Sequence, residues 1–406
     1  GSEISALKEF PSMNKEIDLK ALDSYLKFSY IPSDLTVYNS IKKLKPGHIA
    51  EFAIEKDLAI NYPRIYKWWD YQGIINSNKT KKYISKKEAL IDLEETLKNA
   101  ATSCLVSDVP VGCFLSGGID SSLLTAILSK NSVEKINTFT IGFENKNYDE
   151  SGDAKKIADF LGTNHEEVTL NPSEALRLIP NLPNIYSEPF ADPSQIPTAL
   201  ISREIKKKGI DVALTGDGGD EMFGGYVRHF QGSSIWSKLR LIPYPLRLKI
   251  GSLAEYLPIN KFEKINFLNK TSNFSEKVYK ISKRLKTINS YDELYRCLLT
   301  VNQDNTIYSD SLKHEFRDSL LDHNNEFSQN PKSISDDPVA RMLYWDALTY
   351  LPDDVLVKVD RASMAYSLET RAPFLDHRVV EFALKTPFEL KIRNNSNVRS
   401  IRRRKD

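Results

Sequence analysis

The sequence predicts an α/β protein, a parallel doubly wound sheet to which a helical subdomain is added. Three observations carry this. From Val109 onward, apolar strand-like runs alternate with amphipathic helical runs, the pattern of a parallel sheet covered on both faces. Two glycine-rich motifs, 116–122 and 215–226, each follow directly on an apolar strand, so both fall beyond the carboxyl ends of strands, where such sheets hold ligands. From about residue 228 the strand pattern gives way to Lys-, Arg-, Tyr- and Leu-rich helical segments with turns at Pro243, Pro245 and Pro258.

Taken in order, residues 1–72 read as the end of a domain rather than a whole one. A helix over 19–28 sets Leu19, Leu22 and Leu26 on one face, and Pro46-Gly47 turns the chain. A hairpin is expected to pair 48–52 with 58–60 about Glu55-Lys56-Asp57. Residues 73–85 are polar and read as a linker or exposed loop. The segment 86–406 forms one unit. It opens with a helix over 86–103 that aligns Leu90, Leu93, Leu97 and Ala101. Then come a strand at 111–115, a helix at 120–129, a strand at 136–143 and a helix at 150–161 with Ala154, Ile157, Ala158 and Leu161 inward. A strand at 165–170, a helix at 194–207 and a strand at 211–214 complete the alternation.

The 406 residues suffice for two or three domains. A net charge of +2 gives no global attraction to nucleic acid or to an anionic membrane, so neither is expected as a partner. No apolar run reaches the ~20 residues that span a bilayer, and no secretory signal is evident. Cys104, Cys113 and Cys297 have neither metal-ligand nor disulfide spacing, which fits a reducing, cytoplasmic setting.

The stretch Val109-Pro-Val-Gly-Cys-Phe-Leu-Ser-Gly-Gly-Ile-Asp-Ser-Ser122 reads as strand, loop and helix start. Gly117 and Gly118 are expected to let the backbone approach a phosphate, with φ > 0. The helix start offers free N–H groups and a positive dipole end, and Ser116, Ser121 and Ser122 add hydroxyl donors. Asp120 would repel a phosphate, so its expected task is to hold a divalent cation. No lysine follows the glycines, as a Walker loop would require. The loop therefore suits a pyrophosphate unit, with attack at the α-phosphorus and AMP left on the substrate. The competing reading, a serine-rich helix cap, is disfavoured by the apolar strand before it and the apolar helix after it. Ser-Gly-Gly-Ile-Asp-Ser resembles the pyrophosphate loop of the N-type ATP pyrophosphatases.

The second motif, Thr215-Gly-Asp-Gly-Gly-Asp-Glu-Met-Phe-Gly-Gly-Tyr226, crowds Asp217, Asp220 and Glu221 among five glycines. Carboxylates this close call for a cation, and Mg²⁺ held with ATP phosphates needs few of them. An acidic surface loop is the plainer alternative, weakened by the strand that precedes it.

With both motifs the chain resembles the glutamine-dependent asparagine synthetases, closest to their bacterial branch. The match extends over Lys45-Pro-Gly-His48, Tyr66-Lys-Trp-Trp-Asp70, Phe139-Thr-Ile-Gly-Phe143, Tyr148-Asp-Glu150, Glu188-Pro-Phe-Ala-Asp-Pro193, 351–364 and 367–376. The resemblance implies an adenine nucleotide alpha hydrolase-like sheet preceded by the remnant of an N-terminal nucleophile glutaminase domain. It implies ATP and Mg²⁺ as cofactors, with aspartate and ammonia or glutamine as small-molecule substrates, and it allows a homodimer. It implies that Ser116, Gly117, Gly118, Asp120, Ser121 and Ser122 form the pyrophosphate loop. Leu115 and Ile141 would hold adenine through their backbones, Thr215 and Gly216 would contact the nucleotide, and Asp120 and Asp220 would hold Mg²⁺. Asp217 would accept the proton of incoming ammonia, as an amine attacking an acyl-adenylate requires. Asp353, Asp354, Asp360 and Arg361 match a segment near the active site, with a helix cap as the alternative for Asp354. Glu369, Arg371 and Asp376 are expected to form an ion-pair network that holds the helical subdomain.

Two departures qualify the match. The family's glutaminase uses an N-terminal Cys, whereas Gly1 opens this sequence and Cys113 reads as a small core residue, so glutamine hydrolysis is not expected of it. The family continues past residue 397 to a lysine-and-glycine loop, whereas here the basic run 398–406 follows, expected to be a frayed end rather than a nucleic-acid patch. The expected reaction is adenylation of the aspartate side-chain carboxylate followed by attack of ammonia. Its rivals are the same chemistry on another carboxylate (sugar acid amidation, β-lactam or peptide cyclisation) and an ATP-binding chain without activity.

Overall fold

The computed structural model describes residues 1–53, 62–77, 85–144, 149–256, 281–282, 284–302, 335 and 337–391. At its centre five parallel strands run in the order β5-β4-β3-β6-β7. They are β3 (Val111–Phe114), β4 (Asn137–Phe143), β5 (Asn164–Leu170), β6 (Val212–Leu214) and β7 (Glu369–Arg371). The order reverses direction about β3, which puts the loop after β3 at the switch point where such sheets open a crevice.

Both faces are covered. On one, the helices Lys86–Leu105, Ile119–Asn131 and His377–Lys385 pack Leu97, Ala101, Leu124, Leu128 and Val379 against Cys113, Val212 and Leu214. The helix Ser151–Leu161 extends that layer, with Ala154 and Ala158 fully buried on Leu115. On the other face Gln195–Lys207 and Leu356–Met364 bury Ile201, Ile205, Ala199 and Ala362. These runs became helices because their apolar residues recur at the helical period, and became covers because the central strands β3, β4 and β6 are buried on both sides, while the edge strands β5 and β7 are more exposed. The predicted alternation from β3 to β6 is therefore observed.

A second core lies outside the sheet. Tyr291, Tyr295, Met342, Trp345, Leu351 and Val355 pack together there. The helix Tyr291–Leu299 starts on a capping box of Ser290 and Glu293. The helix Pro338–Trp345 runs on into Asp346–Val355, a π-type stretch that contains Pro352. Proline lacks the N–H of a regular helical bond and crowds the preceding turn, and a widened turn accommodates both defects.

The N-terminal segment docks on this subdomain. Tyr71 stacks near Tyr344 at 5.8 Å, Ser33 donates to Asp353 from N (3.0 Å) and Oγ (2.6 Å), and Lys43 pairs with Glu188 at 2.6 Å.

Several expectations need correction. The strand β1 (His48–Glu51) pairs antiparallel with β2 (Arg64–Lys67), not with 58–60, which lies outside the described residues. The helix Leu19–Phe28 buries Ala21, Asp23 and Ser24, while Leu19, Leu22 and Leu26 are only partly covered. Leu90 points to solvent at 54% exposure, and the first turn of its helix faces inward through Ala89 instead. The stretch read as a linker begins within a helix, Tyr71–Ser77, and 78–84 lies outside the described residues. Pro245 lies inside the helix Tyr244–Tyr256, where a first-turn proline costs no hydrogen bond. Strand character does not end at 228, because Glu369–Arg371 adds the fifth strand. Asp354 caps nothing, being buried inside the π-type stretch. Pro258, Tyr148 and the tail 392–406 lie outside the described residues.

The expected network at 369–376 divides in two. Arg371 pairs with Glu369 at 2.6 Å and donates to the carbonyls of Cys104 and Val106, tying β7 to a helix end. Asp376 instead caps His377–Lys385 and pairs with Arg378 at 2.6 Å. Among the described residues, no helix is long and apolar enough to cross a membrane.

Candidate active site

The loop after β3 is braced from within. Ser121 Oγ accepts from Ser116 N and donates to Ser116 O, both at 3.1 Å. Ser116 Oγ accepts from Gly118 N at 3.1 Å, and Ser122 Oγ donates to Gly118 O. The hydroxyls of Ser121 and Ser122 thus hold the loop's shape instead of serving as free donors, a correction to the expectation. Gly117 and Gly118 are also not left-handed; Gly118 has φ −77°. Glycine is needed at 118 for space, since a Cβ there would lie 2.9 Å from Ser116 Oγ. The expected cradle survives in another form, because the helix Ile119–Asn131 starts with no side-chain cap on its first N–H groups. Leu115 and Ile141 stand on neighbouring parallel chains beside it: Leu115 is buried, and its N–H donates to Phe139 O at 2.8 Å.

The left-handed glycines belong to the second loop. Gly218 (φ +91°) and Gly224 (φ +80°) flank the short helix Gly219–Phe223, after β6 and Thr215, whose N–H donates to Arg371 O at 2.8 Å. The two loops meet at glycine. A Cβ on Gly219 would lie 2.6 Å from Asp120 Cγ, and one on Gly216 would lie 3.1 Å from Ser121 N. Gly218→Ala is expected to destabilise the fold by about 1–3 kcal/mol, because it adds a disfavoured φ to a 2.3 Å clash with Leu375. A urea midpoint equal to the parent's would contradict this.

Contact between the loops gathers Asp120, Asp217 and Asp220. The Asp120 carboxyl is pushed up to about 7 by burial, and further by the charges of Asp220 and Asp217. Asp217 is raised by burial and by Asp192, against the opposing pull of the Lys358 ammonium. Lys358 stands 3.8 Å from Asp192, itself buried and accepting from Ser194 N at 2.6 Å. Beside them Asp354 is pushed up to about 7 by burial and by Asp192. Its Oδ1, Tyr186 Oη and Gln195 Oε1 are buried without hydrogen-bond partners. Buried polar atoms without partners mark places where a polar ligand or water belongs. A cavity of about 350 Å³ opens beside Asp217, Thr215, Val359 and Thr370.

The structure thus brings together Ser116, Gly118, Asp120, Thr215, Gly216, Asp217 and Asp220. It does not bring Asp353 or Arg361 to them. Asp353 accepts from Ser33, and Arg361 reaches Ser2 O and Glu3. Asp360 lines the cavity beside Asp217. Cys113 is a core residue as expected, its thiol pushed up to about 11 by burial. Sequence reasoning did not single out Asp192 and Lys358. Each lay in a quoted segment, but nothing in the spacing said that the two meet.

Among the described residues no three acidic, His or Cys side chains form a metal-binding group. Two carboxylates, Asp120 and Asp220, beside an uncapped helix start fit Mg²⁺ held jointly with phosphates, an ion that takes one or two carboxylates plus phosphate oxygens. The raised Asp120 carboxyl supports that fit, since a cation would relieve the repulsion.

A parallel sheet with an anion-receiving helix start and an acidic loop side by side at its carboxyl edge has the architecture of a nucleotide-dependent α/β enzyme domain. The chain belongs to the asparagine synthase family, ligases of ATP-dependent amidation: the Asparagine synthase model matches residues 92–404. A glutamine amidotransferase domain model matches residues 1–66. The chain is 30% identical over 388 residues to asparagine synthetase [glutamine-hydrolyzing] 1 of Bacillus subtilis, covering 96% of this chain and 56% of that protein. It is 32% identical over 371 residues to a putative asparagine synthetase [glutamine-hydrolyzing] 2 of Methanocaldococcus jannaschii, covering 89% of this chain and 64% of that one. The chain therefore spans little more than half the length of these relatives. An NH3-dependent NAD synthetase from Campylobacter jejuni covers 60% of this chain and 96% of its own at 15% identity and TM-score 0.27, too distant to carry an argument.

Proposed function

We propose that the chain forms an amide from a carboxylate and ammonia at the expense of ATP, releasing AMP and pyrophosphate, with the side-chain carboxylate of aspartate as acceptor. The observation that carries this is the contact between the two loops, which sets Asp120 against Asp220 and Asp217 beside an uncapped helix start. The first-turn N–H groups of Ile119–Asn131 receive phosphate oxygens. Asp120 and Asp220 would hold Mg²⁺, which when bound offsets phosphate charge and orients the chain of phosphates. Leu115 and Ile141 flank the base, and Thr215 and Gly216 lie along the nucleotide.

Asp217 stands between this side and the Lys358–Asp192 pair. It is placed to take the proton that an amine gives up on attacking an acyl-adenylate. Lys358 is a cation beside buried carboxylates, suited to a substrate carboxylate, and Asp192 suits an α-ammonium group. Charges of both signs next to Asp217 favour an amino acid over a sugar acid.

The test is incubation with MgATP, ammonium and aspartate, with AMP and pyrophosphate assayed. Ammonium salt is supplied directly, so the outcome does not depend on glutamine. Equal amounts of AMP, pyrophosphate and asparagine are expected. ADP as product would sink the pyrophosphate reading, and AMP formed only with another carboxylate would move the substrate.

A further inference from the structure

Behind the acidic loop lies a buried polar network that the reaction does not use directly. Asp346, the first residue of the π-type stretch, is fully buried. It accepts from Arg228 Nη2 at 2.8 Å and Nε at 3.3 Å, from His229 Nε2 at 2.6 Å, and from the Tyr295 hydroxyl. Burial opposes its ionisation, but these donors and the Arg228 charge hold its carboxyl below the usual range. Arg228 in turn sits in the corner formed by two aromatic rings set edge to face, 3.9 Å from the centroid of Tyr226 and 4.6 Å from that of Tyr350. The Tyr226 hydroxyl donates to Glu221 Oε1 at 2.5 Å, and Glu221 follows Asp220 on the turn Gly219–Phe223.

We propose that Arg228 is a positioning residue: held by Asp346 and in contact with the rings of Tyr226 and Tyr350, it fixes, through the Tyr226–Glu221 bond, the orientation in which the turn Gly219–Phe223 presents Asp220 to Asp120. The physical reason lies in how this turn is held: Met222 and Phe223 fix its apolar side by packing, and a buried hydrogen bond to Glu221 fixes its polar side. The turn is five residues long, begins and ends in left-handed glycines, and has no side-chain cap. Glu221 is its buried polar anchor, and the partner of that anchor is a tyrosine whose ring is held by a planar cation. A guanidinium can turn one edge, Nε and Nη2, to a carboxylate while it touches two rings set nearly at right angles; a lysine ammonium cannot make the paired contact. The inference rests on Asp120 and Asp220 as the Mg²⁺-holding pair.

The test compares Arg228→Lys with Tyr295→Phe in the full chain. Each removes hydrogen bonding from Asp346, but only Arg228 touches Tyr226. Binding of Mg²⁺ with a non-hydrolysable ATP analogue is measured by calorimetry, and the tyrosine environment by near-ultraviolet circular dichroism. Arg228→Lys is expected to weaken Mg²⁺ binding by about 10–100-fold, the effect typical of losing a residue that orients a metal ligand, and to change the tyrosine signal. Tyr295→Phe is expected to lower thermal stability while leaving Mg²⁺ binding as in the parent. Equal weakening in both variants, or none in a folded Arg228→Lys, would overturn the inference. Asp220→Asn separates the underlying reading: if it binds Mg²⁺ like the parent, the metal pair itself is wrong. If it loses Mg²⁺ while Arg228→Lys does not, only the positioning role fails.

Discussion

Replacing Asp120 by Asn is expected to cut AMP formation by about 10²–10³-fold or more, the range for removing one preorganised electrostatic group, while the protein stays folded. Asp120 lies where the two loops touch, walled by Gly216 and Gly219, so Asn fits the same space but cannot neutralise a cation. Its effect on stability should run the other way. The folded protein binds the Asp120 proton more tightly than the unfolded chain, because burial and the charges of Asp220 and Asp217 push the carboxyl from 3.8 to about 7. Where the folded state holds more protons, stability falls as pH rises. Metal-free protein therefore loses stability between those two values, and Glu221 and Asp354, both pushed up to about 7 by burial, add to the slope. Asp120→Asn removes one share of it, so the metal-free variant should be the more stable protein above neutral pH. Thermal scans across that range, paired with an AMP assay, check both halves. Unchanged AMP formation would contradict the metal-holding role, and a variant less stable than its parent at alkaline pH would contradict the electrostatic account.

The sheet was legible because its signals are local. The predicted strands β3, β4 and β6 are rich in apolar residues, the edge strand β5 keeps only Val168 and Leu170, and each covering helix repeats small or apolar residues such as Ala154 and Ala158 at helical spacing. The fifth strand was not legible. Glu369-Thr-Arg371 has no apolar residue, and it is a strand because β6 offers it backbone partners and Arg371 reaches two carbonyls on a distant helix. Tertiary pairing overrides propensity in such short segments. In the site, the two loops were visible as glycine-rich motifs, but the reason for each glycine was not. Left-handed backbone was expected at 117–118 and is found at Gly218 and Gly224, while a Cβ on Gly118, Gly216 or Gly219 would press on Ser116 Oγ, Ser121 N or the Asp120 carboxyl. Hydroxyls read as phosphate donors are braces, a distinction that depends on which way a side chain turns after the helix begins. The pairing of Lys358 with Asp192 and the clamp on Arg228 join residues far apart in sequence, and only the packed fold makes them neighbours.

That packing gives the second large effect, at Lys358. Lys358→Met is expected to raise the KM for aspartate by about 10–100-fold, as the loss of a charged hydrogen bond worth about 1.5–3 kcal/mol implies, with MgATP binding unchanged. The lysine pairs with Asp192 and acts on the Asp217 carboxyl. Methionine keeps most of the stem and removes the charge, so a substrate carboxylate loses its counter-ion while the nucleotide does not. A second consequence follows from the same geometry. The ammonium opposes the rise of the Asp217 carboxyl, so without it Asp217 holds its proton to higher pH. If Asp217 accepts a proton from the amine, the acidic limb of the rate profile must move toward alkaline pH, and raising the pH must recover part of the lost rate. Lys358→Arg, which keeps the charge, should hold the profile near that of the parent. Saturation kinetics in aspartate at fixed, saturating MgATP across a pH series measure both effects. A rise in the KM for ATP with that for aspartate unchanged would place Lys358 on the nucleotide side. A fall in kcat with no movement of the profile would separate Asp217 from proton transfer while leaving the carboxylate pocket intact.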